Sequence, residues 1–105
     1  MTFYETAIFT TQITKLISDE SYTEFQKVLI ADPESGDLIR GSQGLRKIRW
    51  RIEGSGKSGG IRIIYYLVSG EGIFLLFAYP KSKQENITDD QARILRSLVD
   101  KHLAP

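Results

Sequence analysis

The segment Lys47–Ile52 alternates strictly between cationic and apolar side chains. The cations and the apolar residues interleave in the order Lys47, Ile48, Arg49, Trp50, Arg51 and Ile52. A β-strand directs successive side chains to opposite faces of its sheet. The alternation therefore predicts a strand with one face buried against apolar side chains and the other face carrying a row of cations.

Positive charge is concentrated around this strand. Residues 40–62 contain seven of the fourteen basic residues and one acid, Glu53. Residues 1–39 carry two basic and seven acidic groups, so the net charge of +1 conceals a strongly dipolar chain. Cations at every second strand position lie roughly 7 Å apart and repel each other. We interpret the row as a phosphate-binding surface, with a solvated charged face as the alternative.

Two later segments are almost continuously apolar, Ile61–Val68 and Ile73–Tyr79. This composition is typical of strands that are covered on both faces or are central in a sheet. The short connection Ser69–Gly72 predicts a hairpin between them, and the glycine-rich loop Gly54–Gly60 joins the cationic strand to the first of them. Three sequential strands with short links predict an antiparallel meander.

Three segments have helical periodicity, each with an apolar stripe. The stripes are Phe9, Ile13, Leu16 and Ile17; Tyr22, Phe25, Val28 and Leu29; and Ala92, Leu95, Leu98 and Val99. Ser18 or Ser21 begins the second helix and Asp32-Pro33 ends it, while Thr88 and Gln91 have the spacing of a capping box. With a short strand at residues 2–5, the order is β-α-α-β-β-β-α. The sequence predicts one α+β domain over residues 1–105, with helices packed on an antiparallel sheet.

The composition excludes several kinds of site. The chain has no cysteine, which excludes disulfides and thiolate metal sites. The single histidine, His102, falls in the last turn of the third helix, so Ser-His-Asp chemistry lacks its parts. The loop Gly54–Gly59 matches GxGxxG, but the dinucleotide-binding motif opens a helix and this loop leads into a strand. We therefore interpret it as a hairpin loop, in which Lys57 is a candidate contact to a nucleic-acid backbone. Without a signal peptide or an apolar run of ~18 residues, we expect a cytoplasmic protein with no membrane partner.

Arg62 interrupts an otherwise apolar strand. Alternation places it on the same face as Ile64 and Tyr66. A buried arginine is unfavourable unless its charge is used or paired. Pairing of neighbouring strands would bring Arg62 beside the cationic row, and an ion pair with Glu53 or Glu71 is the structural alternative.

Three segments carry a family resemblance: Gly44–Arg49, Gly60–Tyr66 and Phe77–Lys83. Together with the glycine-rich loop, they resemble the RelE/ParE superfamily of toxins from type II toxin–antitoxin systems, and within it the HigB-like branch. The resemblance spans nearly the whole chain, and the last segment brings Lys81 and Lys83 to the edge of the sheet.

The resemblance implies a ribosome-dependent endoribonuclease that cuts mRNA in the ribosomal A site without a metal or other cofactor. Lys47 would act as base for the 2′-OH, Arg62 and Arg49 would stabilise charge at phosphorus, and Lys81 or Lys83 would act on the leaving 5′ oxygen. The further candidate contacts to RNA or the ribosome are Arg40, Arg46, Arg51, Lys57 and Tyr66. A cognate antitoxin, expected to be a HigA-like helix-turn-helix protein, would silence the toxin.

Several RelE-type toxins have a tyrosine after the last strand, where this chain reads Glu85-Asn86-Ile87-Thr88. A site built from cations is therefore expected. Two other functions stay open, because the fold alone does not separate them. One is a ParE-like inhibitor of DNA gyrase, and the other is a non-catalytic module that binds RNA or the ribosome.

Overall fold

The structure, a computed structural model, describes residues 1–52, 59–69 and 72–103. Its elements are β1 (Thr2–Glu5), α1 (Ala7–Leu16), α2 (Asp19–Ala31), β2 (Asp37–Leu38), β3 (Leu45–Arg51), β4 (Gly60–Val68), β5 (Gly72–Pro80) and α3 (Asp89–Leu103). Within these residues the five strands form one sheet in the order β1-β5-β4-β3-β2. The predicted α+β class and the antiparallel meander β3-β4-β5 are confirmed.

The sheet is wider than the predicted meander. The predicted strand at residues 2–5 is present as β1, and it pairs parallel to β5, so the sheet is mixed. The two-residue strand β2 pairs antiparallel with β3 at the opposite edge and was not predicted. Both β4 and β5 are interior strands, which explains their continuous apolar sequence.

Helices cover the sheet on both faces. Phe9 and Ile13 of α1 and Phe25 and Leu29 of α2 pack on one face. Leu95 and Val99 of α3, among others, pack on the other face. We call these the α1/α2 face and the α3 face of the sheet.

Strand β3 divides its side chains as the alternation predicts. Ile48 and Trp50 pack on the α1/α2 face. The Trp50 ring meets Phe25 edge to face with 5.3 Å between centroids, and its indole N–H donates to Ser21 Oγ at 2.9 Å. Because Trp50 is fixed against α2, the intervening cations of β3 are directed towards the α3 face.

The helix ends follow the capping residues. Ser18, rather than Ser21, caps α2, and its hydroxyl accepts from Ser21 N–H. Thr88 and Gln91 form the predicted capping box, with reciprocal bonds of 2.9 and 3.0 Å.

The prediction that Val28 belongs to the apolar face of α2 was wrong, because its side chain is 40% exposed. No helix in the described ranges is long and apolar enough to cross a membrane.

A buried tyrosine fixes the turn that precedes β2. Tyr65 is fully buried, and its hydroxyl accepts from Gly36 N–H at 2.9 Å and donates to Pro33 O at 2.8 Å. A Cβ on Gly36 would lie 2.7 Å from Tyr65 Cε1, so only glycine fits this close approach. The tether positions β2 beside β3, where Asp37 lies opposite Lys47 in the strand register.

Candidate active site

Strand pairing brings the predicted cations together on the α3 face. Arg49 of β3 lies directly opposite Arg62 of β4, and Lys47 lies opposite Ile64. Paired residues project to the same face of a sheet, so Lys47, Arg49 and Arg62 share this surface. Arg49 is exposed and Lys47 is half-buried. The strand register confirms the prediction that Arg62 lies beside the cations of β3.

Arg62 is the most deeply placed of these cations. Only 4% of its side chain is exposed, and it forms an ion pair with Glu85, whose carboxylate lies 3.4 Å from Nη2. Nη1 donates to Ile61 O, also at 3.4 Å, and the buried Nε has no hydrogen-bond partner among the residues that the structure describes. The charge is therefore largely removed from water and only loosely compensated.

The segment Gln84–Thr88, between β5 and α3, lies against the cations. Asn86 Oδ1 accepts a hydrogen bond from Lys47 Nζ at 2.5 Å, next to the contact between Glu85 and Arg62. The Gln84 side chain donates to Asn86 O at 2.9 Å and to Gln91 Oε1 at 3.0 Å, which ties the segment to the start of α3. One short segment thus contacts both Lys47 and Arg62.

Tyr79 lies beside the same ion pair. It is opposite Arg62 in the sheet, 4% of its side chain is exposed, and its hydroxyl donates to Glu85 O at 3.3 Å. Burial raises the pKa of Tyr79, the positive charge of Arg62 opposes that rise, and the charge of Glu85 adds to it. Tyr79 therefore stays a neutral hydrogen-bond donor at neutral pH.

A cavity of about 300 Å³ adjoins Lys47 on the side of β2. It is lined by Asp37, Leu38, Ile39, Arg40, Lys47, Asn86 and Ile87. Arg40 is exposed and lies at this cavity, so the structure brings it into the same region as Lys47. The site thus combines a buried guanidinium, an anchored lysine and an adjoining cleft.

A family model described as the RelE toxin of the RelE/RelB toxin–antitoxin system matches residues 2–104. The chain belongs to the RelE toxin family. The match covers every element of the fold, including β3, β4 and the segment that follows β5. This RelE-family protein is therefore a toxin of a toxin–antitoxin system, a class whose members pair with an antitoxin.

The structure separates Arg46 of the RelE-family toxin from the other predicted contacts. Arg46 lies between Leu45 and Lys47, which project to the α3 face, and points the opposite way. Its guanidinium is bonded to Gly36 O at 2.7 Å and to Glu34 Oε1 at 3.3 Å. Its side chain is 15% exposed. Its contacts stabilise the turn before β2, and it does not join the surface formed by Lys47 and Arg62.

Tyr66 and Arg51 also lie apart from the centre of the site. Tyr66 shares the α3 face with Arg62, but the Arg96 guanidinium covers its ring at 4.8 Å from the centroid. Arg51 is exposed at the end of β3 and lines a different cavity with Ser18 and other residues at the start of α2. RNA contact by either residue stays a prediction.

Lys81 and Lys83 follow β5 in a turn, and both are exposed. Lys81 N–H donates to Gly60 O at 3.0 Å, which fixes the turn beside the first residue of β4, two positions before Arg62. The backbone of both lysines therefore lies at the end of the sheet where Arg62 is found. Their roles in the reaction stay predictions.

Other predicted residues lie outside the described ranges or away from the site. Lys57, most of the GxGxxG-like loop, Glu53 and Glu71 lie outside the residues that the structure describes. His102 lies in the last turn of α3 as predicted, with its ring against Phe74 at 4.5 Å. Across the described ranges, no three His, Asp or Glu side chains lie together as metal ligands would.

Sequence reasoning missed the residues that contact the cations. Glu85 is the described ion-pair partner of Arg62, and Asn86 holds Lys47, whereas the predicted acids Glu53 and Glu71 lie outside the described residues. Both come from a segment without periodicity, 23 and 39 residues from their partners. The only available signal was their position shortly after Lys81 and Lys83, the lysines that follow β5.

Proposed function

We propose that this RelE-family toxin is a ribosome-dependent endoribonuclease of the HigB-like branch that cleaves translated mRNA. The observation that carries the proposal is the burial of Arg62, which is 4% exposed and lies opposite Arg49 on the α3 face. Removing a guanidinium from water is unfavourable, and surface cations alone suffice for docking on nucleic acid. A cation that is largely removed from water suits the stabilisation of charge that develops during a reaction.

The reaction proposed is attack of an RNA 2′ oxygen on the adjacent phosphorus. The O2′–P bond forms and the P–O5′ bond breaks, which leaves a 2′,3′-cyclic phosphate and a 5′-hydroxyl. The 2′-OH proton passes to a base, and the departing 5′ oxygen receives a proton from an acid. Bond changes and protons balance without a further reactant.

The residues of the α3 face are suited to these roles. Lys47 is the proposed base, and its bond to Asn86 holds Nζ beside the cleft that Arg40 also lines. Arg62 and Arg49 stabilise the extra negative charge at phosphorus, since guanidinium groups match phosphate oxygens in geometry. Lys81 or Lys83 is the proposed acid for the 5′ oxygen.

The decisive experiment is cell-free translation with the purified protein, followed by primer extension to map mRNA 5′ ends. New 5′ ends within translated codons support the nuclease. Intact mRNA with inhibited DNA supercoiling would instead identify a ParE-like gyrase inhibitor. Intact mRNA with inhibited translation would identify a binding module.

Variants test the assigned residues in the same assay. Arg62→Ala and Lys47→Ala should each lower the cleavage rate by about 10²- to 10³-fold, the usual effect of removing one charge-stabilising or proton-transferring group. Lys27→Ala removes a cation from the exposed surface of α2 and should cleave at the parent rate. Folded Arg62→Ala protein that cleaves like the parent would refute the assignment.

The partner proposed for the toxin is a HigA-like helix-turn-helix antitoxin. Adding that antitoxin to the translation reaction should abolish the new 5′ ends. An antitoxin of another fold that does so would refute the HigA-like assignment and leave the nuclease intact.

A further inference from the structure

The guanidinium of Arg62 has more donors than its surroundings accept. Arginine carries five N–H donors, and charge-assisted bonds to carboxylates are usually about 2.7–2.9 Å long. Within the described residues Arg62 makes two contacts of 3.4 Å, and its buried Nε has no partner. The position next to this guanidinium therefore suits a stronger anionic acceptor than the one it has.

Glu85 supplies the anion in the free protein. Its side chain is 52% exposed, so it reaches from the surface onto a cation that is 4% exposed. It uses one oxygen at 3.4 Å, whereas the two non-bridging oxygens of a phosphodiester match the guanidinium fork. The carboxylate thus occupies the place of a phosphate with an inferior contact.

The backbone of Glu85 is held independently of its carboxylate. Tyr79 donates to the Glu85 carbonyl, and the next residue, Asn86, accepts from Lys47. Gln84 bonds to Asn86 O and to Gln91 at the start of α3. Because these bonds do not involve the carboxylate, the Glu85 side chain can leave Arg62 while the segment stays in place.

We propose that Glu85 is an intramolecular competitor of the substrate, whose carboxylate holds the anion position at Arg62 until an RNA phosphodiester replaces it. Two anions at one guanidinium repel each other, so the phosphodiester binds only as Glu85 swings away. Glu85 thereby weakens the toxin's affinity for phosphodiesters and favours substrates that are also held elsewhere. The identity of the anion as RNA rests on the proposed nuclease function.

Glu85→Gln tests the competition, because it keeps the side chain's size and removes its charge. The probe is dimethyl phosphate, a phosphodiester monoanion, titrated while the NMR signal of the Arg62 Nε–H group is followed. We expect binding about fivefold to tenfold tighter than in the parent, since one competing charge is lost. The same variant should unfold at lower urea concentration, because Arg62 loses its counter-charge.

Glu34→Gln is the matched control. Glu34 forms the corresponding pair with Arg46 at 3.3 Å, on the opposite face of the sheet, and is 69% exposed. The control changes the net charge equally and should leave dimethyl phosphate affinity unchanged. Unchanged or weaker binding by Glu85→Gln, or an equal gain in Glu34→Gln, would overturn the proposal.

A purely structural role for Glu85 predicts a different result. Loss of a structural contact would lower stability and phosphate affinity together, whereas competition lowers stability and raises affinity. Glu85→Asp, whose carboxylate is one methylene shorter and falls short of Arg62, keeps the charge and should also bind more tightly than the parent. It serves as the test if Glu85→Gln does not fold.

The same measurements separate this proposal from the nuclease function. Tighter dimethyl phosphate binding by Glu85→Gln in a protein that leaves translated mRNA intact would refute the nuclease and keep the competitor. Cleavage by the parent with no change in phosphate affinity on substitution would refute the competitor and keep the nuclease.

Discussion

Tyr65→Phe removes one hydroxyl group from the centre of the fold and should destabilise the protein markedly. The hydroxyl is fully buried and bonds to two backbone groups of the turn before β2, Gly36 N–H and Pro33 O. Phenylalanine fills the same space without these bonds. The variant therefore tests the tether and leaves the surrounding packing unchanged.

The expected loss follows from the burial of the two groups left behind. Gly36 is buried, so its N–H loses its partner without access to water, at about 1–3 kcal/mol. Pro33 is half-buried and its carbonyl regains water in part. We expect a total loss of about 2–3 kcal/mol in the free energy of unfolding at pH 7.

Alkaline pH supplies a second, independent measurement on the same residue. Burial raises the pKa of Tyr65 above its usual 10.0, against the opposing effects of the Gly36 hydrogen bond and the Arg46 charge. The neutral form is thus favoured in the folded state, so this stabilisation is complete below pH 10 and is lost as pH rises through the folded pKa. Between these pKa values the parent loses about 1.4 kcal/mol per pH unit through Tyr65, and the variant does not.

Urea unfolding monitored by Trp50 fluorescence measures both effects. Trp50 is the only tryptophan and packs against Phe25 of α2, so its emission reports on the joining of α2 to the sheet. Tyr4→Phe, at a tyrosine whose side chain is 39% exposed, is the control and should change stability by less than about 0.5 kcal/mol. A Tyr65→Phe loss below about 0.5 kcal/mol, or the same loss at pH 7 and pH 11, would refute the reasoning.

Two further substitutions test neighbouring features of the fold. Gly36→Ala places a Cβ 2.7 Å from Tyr65 Cε1 and should lower the free energy of unfolding, measured in urea, by about 1–3 kcal/mol. An unchanged unfolding midpoint would show that the turn adjusts to the extra methyl group without cost. Thr88→Ala breaks the capping bond to Gln91 and should cost about 1 kcal/mol by the same measurement, while Thr88→Ser retains the bond and most of the stability. Equal losses for Ala and Ser at position 88 would contradict the capping explanation.

The arrangement of the cations could be predicted because one pattern fixes both faces of a strand. Ile48 and Trp50 must be buried, and strand geometry then directs Lys47 and Arg49 to the other side. Pairing along a short meander adds Arg62 opposite Arg49. The fold and the row of cations could therefore be predicted from local periodicity and short connections.

Contacts made by distant, irregular segments could not be predicted in this way. Glu85 reaches Arg62 from a loop whose path depends on how α3 packs, and the two residues of β2 are too few to show a pattern. Val28 was misassigned for a geometric reason. At about 100° per residue, Phe25 and Leu29 lie within a narrow stripe and Val28 falls on its flank.

The parallel pairing of β1 with β5 has a consequence for the order in which the chain folds during synthesis. Thr6, which follows β1 and caps α1, donates through its hydroxyl to Leu76 O, 70 positions later in the chain. The meander β3-β4-β5 joins neighbours in sequence, whereas among the described strands β1 pairs with β5 alone and must wait until β5 has been made. Strand β1 is thus made before the other described strands but is among the last of them to pair, and the sheet reaches its full width only after β5 has been made.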